Sequence, residues 1–85
     1  MTAGEFEQKV WDVDGIRIVI RAPWGTEVDA YDWVNAANAG WRVNHYCAQR
    51  IATRLRGLEY QVLDGYGQAP HGNTQLSGIR AGYTR

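Results

Sequence analysis

The segment Lys9-Val-Trp-Asp-Val-Asp-Gly-Ile-Arg-Ile-Val-Ile20 constrains this chain more than any other stretch. Apolar and polar residues alternate on both sides of Asp14-Gly15, a dipeptide suited to the two positive-φ positions of a type I′ turn. The spacing predicts a β-hairpin over residues 8–21. Setting Val13 opposite Ile16 pairs Asp12 with Arg17, Trp11 with Ile18 and Val10 with Val19. Trp11, Val13, Ile16, Ile18 and Ile20 then face inward, and Gln8, Asp12, Arg17 and Arg21 face water. An exposed Asp12–Arg17 pair adds only about 0.2–1 kcal/mol, so the apolar face has to set the register.

Pro23 and Trp24-Gly25 end that pattern, because proline cannot donate to a ladder. Residues 30–56 contain no proline, and Val34, Trp41, Ala48 and Leu55 recur seven apart with Ala37, Cys47, Ile51 and Ala52 beside them. This is helical spacing. Thr26 or Asp29 can cap the start, Arg50, Arg54 and Arg56 suit the negative end of the dipole, and Gly57 can stop it. Gly40 costs about 1 kcal/mol against alanine inside a helix, so a kink or split is expected near Asn38-Ala39-Gly40. A third strand follows over residues 58–63, with Leu58, Tyr60 and Val62 inward. A right-handed crossover would set it beside the first strand, antiparallel to it. The expected fold is α+β: a ββαβ core over residues 1–64, its small sheet packed on one long helix. Residues 65–85 form a glycine-rich segment docked on the same domain. No internal repeat or low-complexity tract is evident.

The last segment, Gly65-Tyr-Gly-Gln-Ala-Pro-His-Gly-Asn-Thr-Gln-Leu-Ser-Gly-Ile-Arg-Ala-Gly-Tyr-Thr-Arg85, turns sharply at Asp64–Gly67 and again after Pro70. Leu76, Ile79 and Tyr83 give it something to bury. Thr74 could cap a short helix running toward Arg80, or the segment could add an edge strand. Its glycines lack the lysine of a phosphate-binding loop and the third glycine of a dinucleotide fingerprint. His71, His45 and Arg80, with Tyr66, are the residue types a small nuclease-type toxin would use for proton transfer and phosphate stabilisation. No paired carboxylates and no nucleophile–base spacing accompany them. With two histidines and one cysteine, no metal site is expected, and no cofactor.

Net charge is zero but unevenly placed, at −4 over residues 1–32 and +4 over residues 33–85. Eight of the nine basic residues are arginine, the better partner for carboxylate forks. The two halves either present opposite surfaces or neutralise each other. Zero net charge argues against direct nucleic-acid binding despite Arg42, Arg50, Arg54 and Arg56. The start, Met1-Thr-Ala-Gly-Glu5, has neither the basic residues nor the apolar run of a signal peptide, no stretch is long enough to span a membrane, and Cys47 is alone. A cytoplasmic setting is expected.

The surplus is aromatic. Four tryptophans and five tyrosines exceed what one small core needs, and Trp24 sits in a loop. Tryptophan, tyrosine and arginine dominate interface hot spots. The expected function is therefore non-enzymatic: covering or recruiting a protein or ribonucleoprotein partner through Trp24, Glu27, Asp29, Asp32, Tyr66, His71 and Arg80. An adaptor recruiting through its C-terminal tail and the toxin are the alternatives. In size, composition and element order the chain resembles small inhibitor proteins of phages and mobile elements, including anti-CRISPR proteins. That resemblance rests on no motif and assigns no residue. It implies occlusion, with the acids around Trp24 facing a basic surface. An open sheet edge also leaves room for a homodimer.

Overall fold

The computed structural model describes residues 1–83. Its elements are α1 (Ala3–Asp14), β1 (Arg17–Ile20), α2 (Val43–Tyr46), β2 (Tyr60–Leu63) and α3 (Leu76–Gly82). Beyond Tyr46, α2 continues as a π-helical stretch, Cys47–Ile51, and a 3₁₀ turn, Ala52–Arg54. The fold is α+β, but its order is αβαβα rather than ββαβ. The final two residues of the glycine-rich segment, 84–85, lie outside the described residues.

The hairpin over residues 8–21 is not formed, because its first arm is helix. Thr2 and Glu5 make a capping box: Thr2 N–H donates to Glu5 Oε1 at 2.8 Å, and Glu5 N–H donates to Thr2 Oγ1 at 3.2 Å. The apolar residues behind it, Ala3, Phe6 and Val10, recur at helical spacing and are buried. Asp14-Gly15, read as a turn, is the helix end. Gly15 is left-handed (φ 65°, ψ 29°), and its N–H donates to Trp11 C=O at 2.9 Å. Left-handed glycine serves a helix C-terminus as readily as a hairpin, and the cap thirteen residues upstream decides between them. Asp12 consequently accepts from Gln8 at 2.9 Å, not from Arg17.

The long helix shrinks to residues 43–54. Residues 28–41 carry neither helix nor strand, and Val34, first in the sevenfold stripe, is 86% exposed. Asn38 Oδ1 accepts from Gly40 N–H at 2.7 Å, a local bond that competes with helix. Distant side chains take the backbone groups a helix would have used. Ala37 N–H donates to Asp14, and the carbonyls of Asn35 and Ala37 accept from Arg50 and Arg80.

The strand expected at 58–63 is present as β2, with Val62 buried, but its neighbour is β1. Arg17 lies opposite Leu63 and Ile20 opposite Tyr60 in an antiparallel pair. A two-stranded ribbon is marginal alone. Here α1 covers its inner face, and Glu7 Oε2 accepts from Ile20 N–H at 2.8 Å. The Tyr83 hydroxyl closes the other end, accepting from Arg17 N–H at 2.9 Å and donating to Leu63 C=O at 2.7 Å.

One backbone device recurs four times, and, against the expectation of no internal repeat, two of its copies share the spacing Gly-x-x-Val-x-x-Tyr, at residues 25–31 and 40–46. Isolated antiparallel bridges join Thr2 to Glu27 and Arg42 to Gln75. After each bridge residue the next is buried, and so is the one three further on: Ala3 and Phe6, Val28 and Tyr31, Val43 and Tyr46, Leu76 and Ile79. Three copies follow a tight turn, at 23–26, 38–41 and 71–74. The second bridge is a local two-fold: Val43 N–H donates to Thr74 C=O and Leu76 N–H to Trp41 C=O, both at 2.9 Å. Helices start from three of the copies. At the fourth, Asp29 N–H donates to Arg54 C=O at 2.9 Å and the chain leaves helical geometry.

The C-terminal segment is docked through α3, with Leu76, Ile79 and Tyr83 in the same buried cluster as Phe6, Val10 and Ile51. Its glycines permit close approach. A methyl group on Gly65 would overlap the carbonyl oxygen of Gly82. Gly65→Ala is therefore expected to lower stability by about 1–3 kcal/mol, the cost of forcing a packed backbone apart. Urea unfolding checks this. An unchanged midpoint would mean that α3 does not rest on the Gly65 backbone.

Candidate functional site

The densest polar cluster surrounds Asp14, whose side chain is wholly buried. Its Oδ1 accepts from Arg50 Nη1 at 2.8 Å and from Ala37 N–H at 2.9 Å. Its Oδ2 accepts from the Tyr46 hydroxyl at 2.7 Å and from the Tyr31 hydroxyl. Four donors fill the roughly four lone-pair positions of a carboxylate. No position is left for a substrate proton, so this centre is a structural hub rather than a general base. Arg80 completes it from α3, donating to Asp14 C=O at 2.7 Å and Ala37 C=O at 3.0 Å. Arg50 also lies over the Trp33 ring, 4.5 Å from its centroid. The Trp33 indole N–H and the Arg50 Nε–H are buried without hydrogen-bond partners among the described residues.

Burial, the Asp14 hydrogen bond and the nearby negative charge hold the Tyr31 hydroxyl well above the usual tyrosine range. Tyr46 is raised further, first by burial and then by the charges that Tyr31 and Asp14 would oppose to a second anion. At the far end of α2, burial pushes the Cys47 thiol up, and burial with the adjacent Cys47 pushes Tyr60 up to about 12. These groups stay protonated in the folded protein. None is an activated nucleophile at neutral pH.

The sequence-selected residues do not form one site. Trp24 is 76% exposed and Tyr66 89%. The acids expected around Trp24 are largely engaged: Glu27 pairs with the N-terminal ammonium at 3.2 Å, Asp29 with Arg56 at 2.9 Å and Asp32 with Arg54 at 3.4 Å. Three ion pairs, Asp14–Arg50, Asp29–Arg56 and Asp32–Arg54, join the acidic and basic halves. Arg80 is partly buried, and its guanidinium is turned toward the Asp14 hub. His71 Nδ1 accepts from Asn73 N–H at 3.1 Å within its turn, and the His45 ring packs edge-on against Trp41, centroids 4.7 Å apart. A cavity of about 410 Å³ beside α3 is lined by Tyr66 and His71 but by neither His45 nor Arg80.

A larger groove, about 670 Å³, was missed in the sequence because it depends on α1 being a helix. Gly4, Glu7, Gln8 and Trp11 form its floor along α1, Arg17 and Ile18 of β1 form one side, and Trp24 closes the end near Thr2 and Glu5. Trp24 is fixed by its backbone. Its carbonyl accepts from Gly4 N–H at 3.1 Å, and a Cβ on Gly4 would lie 3.4 Å from the tryptophan side chain. Trp11 is half-exposed, packed edge-on against Tyr83 at 5.4 Å, with the Arg17 guanidinium 5.4 Å from its ring centroid. The Thr2 backbone and side-chain bonds of the capping box hold the Glu5 carboxyl below its usual value.

No family model, curated protein or solved structure matches this chain. Among the described residues no group of three or more His, Cys, Asp or Glu could hold a metal ion, and no helix is long and apolar enough to cross a membrane.

Two outcomes follow from the hub. Asp14→Ala removes one partner of a buried ion pair and orphans three further donors, so urea unfolding should register a loss of about 3–5 kcal/mol. A loss under about 1 kcal/mol would deny Asp14 its bridging role. Second, Tyr31, Tyr46 and Tyr60 titrate higher in the folded chain than the usual value of 10.0. Above that pH the unfolded chain loses protons that the folded chain keeps, so stability is fully present below pH 10.0 and falls as pH rises beyond it. Phenolate absorbance of these tyrosines should appear together with unfolding. Their titration at the ordinary value in a still-folded chain would contradict this.

Proposed function

We propose that the protein is a small non-enzymatic binding module that acts by covering a macromolecular partner, with the Trp24 end of the α1–β1 groove as its main contact. One observation carries this reading: Trp24 is 76% exposed, yet its backbone is tied to the first turn of α1. A single exposed apolar residue is ordinary, but Trp24 shares one groove with the half-exposed Trp11, and contiguous apolar surface of that kind marks contact sites. A pre-ordered tryptophan also loses little conformational freedom on binding. Occlusion, the mode implied by the resemblance to small inhibitor proteins, needs only such a rigid surface. Of the grounds for that resemblance, element order no longer supports it.

The toxin reading draws no support from the placement of His71, His45 and Arg80, which are engaged separately. The adaptor reading narrows to Tyr66 and His71, because Leu76, Ile79 and Tyr83 are part of the core. Deleting residues 68–85 would unfold the domain rather than test recruitment.

Wild-type protein and Trp24→Ala, each immobilised in its native host extract, provide the test, with captured proteins read by mass spectrometry. Thermal unfolding of the variant should match wild type, since the side chain is mostly in water. Loss of a hot-spot tryptophan costs about 2 kcal/mol or more, roughly a 30-fold fall in affinity for any partner captured by wild type. A partner retained equally by both proteins would remove Trp24 from the interface.

A further inference from the structure

We infer that the α1–β1 groove takes an arginine side chain presented on the partner's surface, its guanidinium stacked on Trp24 and hydrogen-bonded by the carboxylates of Glu5 and Glu7. This rests on the binding reading above and names the chemistry of its ligand. Which polar groups in the groove are already committed decides the matter. Glu5 uses Oε1 for Thr2 N–H, and Glu7 uses Oε2 for Ile20 N–H. Gln8 spends an amide N–H on Asp12. Among the described residues, the second oxygen of each glutamate and the Gln8 carbonyl have no donor. The groove's own cation, Arg17, lies over Trp11 and Tyr83 at 5.4 and 5.8 Å.

The groove's own donors, the Arg17 guanidinium and the second Gln8 amide N–H, belong to the part lined by Trp11, and what it offers with Trp24 is two carboxylates, each with an uncommitted oxygen, and an exposed indole. A complementary ligand must bring donors and positive charge. Guanidinium has five N–H donors and no acceptor, is planar, and is weakly enough hydrated to lie on an aromatic face. A neutral sugar brings no positive charge to the two carboxylates. A phosphate or nucleic-acid backbone would meet two carboxylates. Asp29 and Asp32 are exposed but paired with Arg56 and Arg54, whereas Glu5 and Glu7 make no ion pair among the described residues and are the acids left for a basic partner.

The experiment follows the Trp24 and Trp11 indole N–H resonances by NMR during titration with a tri-arginine peptide blocked at both ends. Its tri-citrulline counterpart keeps the planar N–H groups but carries no charge, and cellotetraose serves as the neutral sugar. Tri-arginine should move the Trp24 resonance saturably. Tri-citrulline should bind about tenfold more weakly or worse, and added salt should weaken the arginine response. The double variant Glu5→Gln, Glu7→Gln keeps a carbonyl for Thr2 N–H and Ile20 N–H, so the helix cap and strand edge persist while the charge is lost. It should lose most of the arginine response. If that variant does not fold, the citrulline and salt comparisons on wild type decide alone.

Equal binding of citrulline, a response to cellotetraose only, or no movement of Trp24 overturns the arginine assignment. If Trp24→Ala still loses a host partner while tri-arginine leaves Trp24 unmoved, this inference fails and the binding role stands. If no partner depends on Trp24, the binding role fails on its own test.

Discussion

Asp14 ends α1, yet its two oxygens collect donors from the irregular segment and from the helix of residues 43–54, and its carbonyl collects Arg80 from α3. A buried charge costs several kcal/mol unless it is paired and its remaining lone pairs are filled. Here the pairing and the filling come from residues far apart in sequence. The polar centre can be satisfied only when α1, the irregular segment, α2 and α3 are all in place. It therefore specifies one arrangement more sharply than apolar contacts alone, which tolerate sliding.

That hub also explains the irregular stretch of residues 28–41. Apolar side chains at 28, 31 and 37 are buried, so the segment is part of the core despite having no regular structure. Its backbone groups are met by arginine and aspartate side chains in place of helical partners. Arginine suits this, since one fork can reach a carboxylate and a carbonyl together, as Arg50 does with Asp14 and Asn35. Arg54 and Arg56 continue the pattern outward to Asp32 and Asp29. Most of the charge asymmetry along the chain is consumed inside the molecule. Glu5 and Glu7 of α1, which line the groove with Trp24, are among the charges that make no ion pair among the described residues.

The clearest local pattern in the sequence was also the one that misled. Trp11, Val13, Ile16, Ile18 and Ile20 alternate as a hairpin would, and Asp14-Gly15 fits its turn. Ala3, Phe6 and Val10 at helical spacing behind a Thr-x-x-Glu cap were equally present. The two periods agree at Val13, which the hairpin turns inward and the helix packs partly buried against the core, and they part at Val10, which the hairpin leaves outward and the helix buries. That position and the capping box of residues 2–5 distinguish them. The groove vanished with the helix, because Gly4, Glu7, Gln8 and Trp11 share a face only at helical spacing.

Local chemistry in the sequence determined the α+β class, the strand near residues 60–63, the stop at Gly57 and the burial of Leu76, Ile79 and Tyr83. Each follows from a short-range rule: alternation, a left-handed glycine, or an apolar residue needing cover. The tertiary structure alone decided that β2 pairs with residues 17–20, that Asp14 lies at the centre, and that bridges join Thr2 to Glu27 and Arg42 to Gln75. Those features rest on hydrogen bonds between groups 17 to 66 residues apart. No local propensity encodes them, because the energy of a buried polar group depends on which partners the whole fold brings to it.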